Sequence, residues 1–288
     1  MNRRCTIIAV GIGEGARDPG CAKGPEILKK SGVFDRLAAR SPGLCWQEVP
    51  VSASAAASPA TVVARACDAL AQAVAAVRSE GRFPIVIGGD HSIAMGTWSG
   101  LSRALAPPGR FDLLWIDAHM DCHDPSTSPS GALHGMPLAC LLGRCHPQLA
   151  GVACPAPPLK PGDVTLVGVR SFEREEDSFA HQSGLRVIRM EEVTAKGLAA
   201  ILPRPTGPFG ITLDLDAIDP GDAPAVGSPV PGGIAASELL ESLRPLLASP
   251  HCLALEIAEY SPPHDVADKT AILMETILAM AAQPGEPP

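Results

Sequence analysis

Asp117, His119 and Asp121 stand at i, i+2 and i+4 where the apolar run Leu113-Leu114-Trp115-Ile116 breaks off. Such a run reads as a strand buried on both faces, which hands its next residues to the carboxyl edge of a parallel sheet. Two carboxylates and an imidazole at that edge would each carry a large desolvation cost. A bound cation offsets it by favouring their charged and deprotonated forms. The bland alternative is a pair of helix-capping Asp residues beside a solvated His. Two further strand ends repeat the signature. The run 209 to 213 closes in Asp214 and Asp216, and the strand predicted over 83 to 87 closes in Gly88-Gly89-Asp90-His91-Ser92, placing His91 at the same edge. The two glycines are expected to turn the backbone tightly there. Asp219, before Pro220, reads as a turn-forming side chain, and Glu256 in the last strand as structural.

The set is then two imidazoles, His91 and His119, and four carboxylates, Asp117, Asp121, Asp214 and Asp216. Six ligands exceed what one catalytic ion with room for water requires, so two ions sharing carboxylates is the economical reading. An oxygen-rich donor set without thiolate favours Mn²⁺ over Fe²⁺, Ni²⁺ or Zn²⁺. Cys122 is left out because alternation in an extended segment turns it away. Two ions sharing one water lower its pKa from about 15.7 toward 7, on the order of 12 kcal/mol of easier deprotonation. Hydrolysis of a poor electrophile is the reaction class this serves.

The elements that must position these residues alternate along the chain. Strands are predicted over 5 to 10, 83 to 87, the run ending at Ile116, 163 to 169, 185 to 189, 209 to 213 and 252 to 257. Helices are predicted from Gly24-Pro25-Glu26, from the Ser58-Pro59 cap to Gly81, and over 136 to 143, 236 to 248 and 265 to 282. Gly11, Gly13 and Gly15 lack the spacing of a dinucleotide fingerprint and read as a plain loop. Residues 51 to 57 read as a linker, 154 to 161 as a surface loop and 283 to 288 as a frayed tail of one α/β domain spanning 1 to 288.

Composition bounds the partners. The core must be built from aliphatic residues, since 46% of the chain is hydrophobic and only 3% aromatic. A formal charge of -8 without a basic run argues against nucleic acid or an anionic membrane and favours a small cationic substrate. The nine cysteines form no CxxC pair, which predicts reduced thiols and a cytoplasmic protein. No signal peptide is expected, and no stretch approaching the ~20 apolar residues of a membrane span.

Taken together and in this order, the stretches 88 to 92, 117 to 121, 130 to 135, 214 to 220 and 257 to 259 resemble the motifs of the arginase, agmatinase and formimidoylglutamase family, the ureohydrolases. The resemblance extends over nearly the whole chain, and 130 to 137 looks like the arginase branch. It implies a three-layer α/β/α sandwich with a central, mostly parallel eight-stranded sheet, two Mn²⁺ per subunit, and a homotrimer or homohexamer. One ion would be held by His91, Asp117, Asp121 and Asp214, the other by His119, Asp117, Asp214 and Asp216, with Asp117 and Asp214 bridging. A metal-bridging hydroxide would cleave the guanidinium group of L-arginine to urea and L-ornithine. Asp121 would orient it, His134 would shuttle protons, and Glu259 would grip the guanidinium with both oxygens. Ser128, Ser130, His123 and Glu173 are the implied contacts for the rest of the substrate. There the chain departs from the family pattern: His123 and Ala132 stand where arginases carry Asn, and Glu173 where they carry Asp. The departure keeps open another guanidino substrate: guanidinobutyrate, guanidinopropionate, agmatine or guanidine. A non-catalytic relative would be expected to lose a ligand, His134 or Glu259, and none is lost.

Overall fold

The computed structural model describes residues 3–51, 57–105, 109–153 and 159–283. Most of the predicted linker (52–56 of 51–57), of the Pro-rich loop (154–158 of 154–161) and of the tail (284–288 of 283–288) therefore lies outside the described residues. In chain order the elements are β1 (Cys5–Val10), α1 (Gly24–Lys30), α2 (Val33–Arg40), β2 (Cys45–Glu48), α3 (Pro59–Ser79), β3 (Phe83–Gly88), α4 (Ala94–Ala104) and β4 (Asp112–Ile116). They continue with α5 (Pro137–Leu141), α6 (Ala150–Ala153), β5 (Val164–Val169), α7 (Arg174–Ser183), β6 (Arg186–Arg189), α8 (Met190–Lys196) and α9 (Leu198–Ile201). The last four are β7 (Phe209–Asp214), α10 (Ala236–Ala248), β8 (Cys252–Ala258) and α11 (Lys269–Ala282).

The eight strands form one sheet in the order β2-β1-β3-β8-β7-β4-β5-β6, every pairing parallel. Alternation within the apolar strands feeds two cores. Ile85, Ile87, Leu114, Ile116, Ile211 and Leu213 face α1, α2 and α8 to α11, whereas Val86, Leu113, Trp115 and Leu166 face α3 to α7. The strand the sequence does not announce is β2. Its Cys-Trp-Gln-Glu lies on the sheet edge, mostly exposed, and so carries no apolar run.

Ser58 caps α3 by accepting from the Thr61 amide. This helix corrects one expectation: at 21 residues it is long and apolar enough to cross a membrane. More than half of its most apolar window, 56%, is buried inside the fold, because the helix packs under the sheet. A second correction concerns the thiols. Gly143, in the left-handed region, folds the chain back after α5 and brings Cys140 and Cys145 together as a disulfide, while Cys5, Cys21, Cys45, Cys67, Cys122 and Cys252 are free.

Gly88 and Gly89 are also needed for a reason other than the one expected. Neither has a positive φ. What they supply is space: a Cβ on Gly89 would lie 1.7 Å from the Ile12 carbonyl oxygen, and one on Gly88 2.0 Å from Ile93 Cδ1. The Gly89 carbonyl in turn accepts from the Glu259 amide at 2.7 Å, tying β3 to the end of β8. Gly89→Ala should therefore cost about 3 kcal/mol or more, read as a lower midpoint in urea unfolding. An unchanged midpoint would show that the backbone gives way there.

Candidate metal centre

The central strands β3, β8, β7 and β4 are consecutive neighbours, so the residues that follow them meet at one edge of the sheet. Asp117, directly after β4, accepts from Trp115 Nε1 at 2.9 Å through Oδ2 and from the His119 amide at 2.7 Å through Oδ1. Asp214 Oδ1 accepts from the Asp216 amide at 2.9 Å, and Asp216 Oδ1 from the Ala118 amide at 3.2 Å. Each of these last two carboxylates thus has one oxygen anchored and the other free to turn inward.

Two clusters result. In the first, His91 Nδ1 lies 3.2 Å from Asp117 Oδ2, 3.0 Å from Asp121 Oδ2 and 3.2 Å from Asp214 Oδ2. In the second, His119 Nδ1 lies 3.0 Å from Asp216 Oδ2 and 3.5 Å from Asp117 Oδ1. Asp117 joins the two through its two oxygens. Asp214 turns Oδ2 toward the first cluster while its Oδ1 takes the Asp216 amide. His91, Asp117, Asp121, Asp214 and Asp216 are buried, and only His119 is partly open, its side chain 28% exposed.

A group that sequence reasoning left aside decides what these clusters can hold. Thr212, two residues before Asp214 on β7, donates to Glu256 Oε1 at 2.6 Å, so its oxygen accepts from His91 Nε2 at 2.9 Å. That bond puts a ring proton on Nε2 and turns Nδ1, fully buried and without an aligned hydrogen-bond partner, toward three carboxylate oxygens. An orphaned imidazole nitrogen among carboxylate oxygens fits a cation. Electrostatics agree. Burial opposes charge on His91 and His119, yet the surrounding carboxylates hold both imidazoles well above their usual range. Burial together with the charge of Asp117 pushes Asp121 up to about 6, and burial with Asp216 and Asp117 raises Asp214. The site is short of positive charge. The donors, oxygen and imidazole without thiolate, suit a divalent ion of the Mn²⁺ type.

Asp121, in the first cluster, and Glu259, beside it, sit in strained or guarded positions. Asp121 and Glu259 have φ of 50° and 68°, the left-handed region, held by surrounding contacts. Glu259 Oε1 accepts from the His91 amide and from His134 Nδ1, both at 2.9 Å, which leaves only Oε2 for a substrate and removes the expected two-oxygen grip. Burial works against charge on His134, but the hydrogen bond and charge of Glu259 prevail and push the imidazole up to about 10. The Gly-rich first loop has a structural task here. Gly15 donates to Asp90 Oδ2 at 2.8 Å and accepts from the His134 amide at 3.1 Å.

A cavity of about 130 Å³ opens over the clusters, lined by His119, Asp121, Asp214, Asp216 and His134 and, farther out, by His123, Ser130, Glu173, Glu176 and Ser228. Ser128 does not line it and instead accepts from the Gly131 amide at 3.0 Å. Glu176, unremarked in the sequence, sits three residues after Glu173 and closes a capping box at the start of α7, and burial pushes its carboxyl up to about 8. A larger cavity of about 350 Å³, at Trp46 and Glu48 on the sheet edge, holds none of the cluster residues.

Ligands at the carboxyl ends of adjacent parallel strands, two cation-ready clusters and a cavity above them make a site fit for metal-dependent chemistry, and the family that the chain matches is one of metal-dependent hydrolases of linear amidines. The Arginase family model matches residues 3–282, and the chain belongs to that family. It is 36% identical to the arginase of Bacillus caldovelox over 282 residues, covering 92% of this chain and 93% of that one. Against the arginase of Brevibacillus brevis the identity is 33%, covering 94% and 95%. The crystal structure of Bacillus cereus arginase superposes with a TM-score of 0.89 at 30% identity, covering 99% of this chain and 100% of that one.

Two measurements check the cation reading. Mn²⁺ at 100 times its Kd should stabilise the protein by about 2.7 kcal/mol, raising Tm by roughly 5 to 10 °C in a chain of this size. Chelation should reverse the rise, and an indifferent Tm would argue against a preformed site. Thr212→Val should weaken Mn²⁺ binding about 10- to 100-fold by calorimetry while Thr212→Ser does not. Equal affinities in the two variants would separate Thr212 from the site.

Proposed function

We propose that this enzyme hydrolyses the guanidinium group of L-arginine, giving urea and L-ornithine. The observation that carries the reading is Asp117, whose two oxygens join two imidazole-carboxylate clusters on the floor of a cavity walled by Glu259's partner His134. His91, Asp117, Asp121 and Asp214 would hold one ion and His119, Asp117 and Asp216 the other, Mn²⁺ suiting the donors best. When bound, the ions supply a water acidic enough to ionise near neutral pH.

The chain's own groups do the rest. Asp121, with Oδ2 turned toward the floor, orients the attacking water against the guanidinium carbon. Glu259 Oε2 takes a charge-assisted hydrogen bond from the guanidinium, the natural partner for a planar cation. His134 is fixed through Nδ1, so Nε2 carries protons to the departing amine nitrogen. Its raised pKa keeps a proton available there at neutral pH.

Urea release after incubation with Mn²⁺ tests this directly. L-arginine should be turned over, with kcat falling about 100-fold or more in Asp121→Ala and in His134→Ala. Metal-loaded protein that releases no urea from any guanidino compound would sink the reading.

A further inference from the structure

Beside the two clusters, the described residues bring together a third group of metal-type donors, His123, Glu173 and Glu176, whose ligand atoms all lie within 4.8 Å of one another. None of the three belongs to the other clusters. His123 stands in the loop after β4, and the two carboxylates flank the start of α7. Thr127 decides how the imidazole is used. Its hydroxyl donates to the Asp124 carbonyl at 3.3 Å and accepts from the Asp124 amide at 3.0 Å, so toward His123 Nδ1, 3.1 Å away, it can only accept. A ring proton is thereby placed on Nδ1, and Nε2 turns toward Glu173 Oε2 at 2.9 Å and Glu176 Oε2 at 3.3 Å. The imidazole and Glu176 are buried, with side chains 7% and 4% exposed, whereas that of Glu173 is 50% exposed and free to adjust. The Cys122 amide holds Glu176 Oε1 at 3.1 Å, and the Glu173 amide reaches Oε2 at 3.2 Å.

An imidazole lone pair and two carboxylate oxygens thus converge on one point. A proton there satisfies one of them at a time, whereas a metal ion satisfies all three. The spacing fits an ion, since ligand atoms ~2.0–2.1 Å from a metal stand about 2.9 Å apart in octahedral and about 3.3 Å apart in tetrahedral geometry. We propose that His123, Glu173 and Glu176 form a third divalent-cation site at the outer end of the cavity. Three protein ligands leave further coordination positions open toward the cavity that these residues line. At such a nitrogen and oxygen site Zn²⁺ binds more tightly than Mn²⁺. Filled, the site gives the cavity, whose lining contains no Lys or Arg, a fixed positive charge at its outer end. The proposal concerns binding and stands apart from the reaction proposed above.

The test is a metal count. Protein loaded with Mn²⁺ is equilibrated with excess Zn²⁺ and desalted, and its total metal per chain is measured by elemental analysis, so that exchange of one ion for the other does not alter the sum. The wild type should hold one equivalent more than His123→Asn and one more than Glu173→Ala, a truncation at a half-exposed side chain that leaves the fold intact. The equivalents that remain in the variants report separately on the two clusters. Thr127→Val should weaken calorimetric Zn²⁺ binding at this site about 10- to 100-fold, while Thr127→Ser, which keeps the hydroxyl, should not. Equal metal content in the wild type and both variants overturns the proposal, whatever that content is. Loss of more than one equivalent in Glu173→Ala overturns it as well, because the third ion would then not be separable from the clusters.

Discussion

Asp117, Asp121, Asp214 and Asp216 are packed at one sheet edge where burial removes the water that would screen their repulsion. Two imidazoles among them do not bring enough positive charge to balance the set. The surrounding structure holds the carboxylates in place against that repulsion: Trp115 fixes Asp117 through its indole, and the amides of His119, Ala118 and Asp216 hold an oxygen each. Thr212 and Glu256 fix the His91 tautomer from behind. A cation completes this arrangement.

The sheet makes such crowding possible. β3 and β4 bracket the site, but they are not neighbours: β8 and β7, from the last third of the chain, are inserted between them. The insertion lines up four carboxyl ends, so His91, Glu259, Asp214 and Asp117 arrive from adjacent strands although they are far apart in sequence. Loops then close the site from above. The Gly15 backbone holds Asp90 and the His134 amide, and Gly135 accepts from the His123 amide. The outer rim is set by the loop after β4, the loop after β7 and the start of α7.

Much of this was legible in the chain. Buried parallel strands are apolar on both faces, so the six inner strands stand out, and ligands placed at i and i+2 after them are expected at one edge. What escaped is polar or spatial. β2 hides because an edge strand needs no apolar run. Thr212 and Glu256 look unremarkable because their importance lies in whom they face. Gly89 looked like a turn residue, but its requirement comes from a carbonyl on another loop.

The sequence by itself determined the chemistry: which residue types stand at strand ends, that the donor set is oxygen and imidazole, and that the strand and helix rhythm is that of an α/β fold. Periodicity and spacing are local properties, and local properties can be read along a chain. Only the tertiary structure decided that the two oxygens of Asp117 face different clusters, that Glu259 Oε1 is taken by the His91 amide and His134, and that His123 lies between Thr127 and Glu173. Those outcomes depend on which hydrogen-bond capacity is already spent on residues distant in sequence, and such partners exist only once the strands have been ordered.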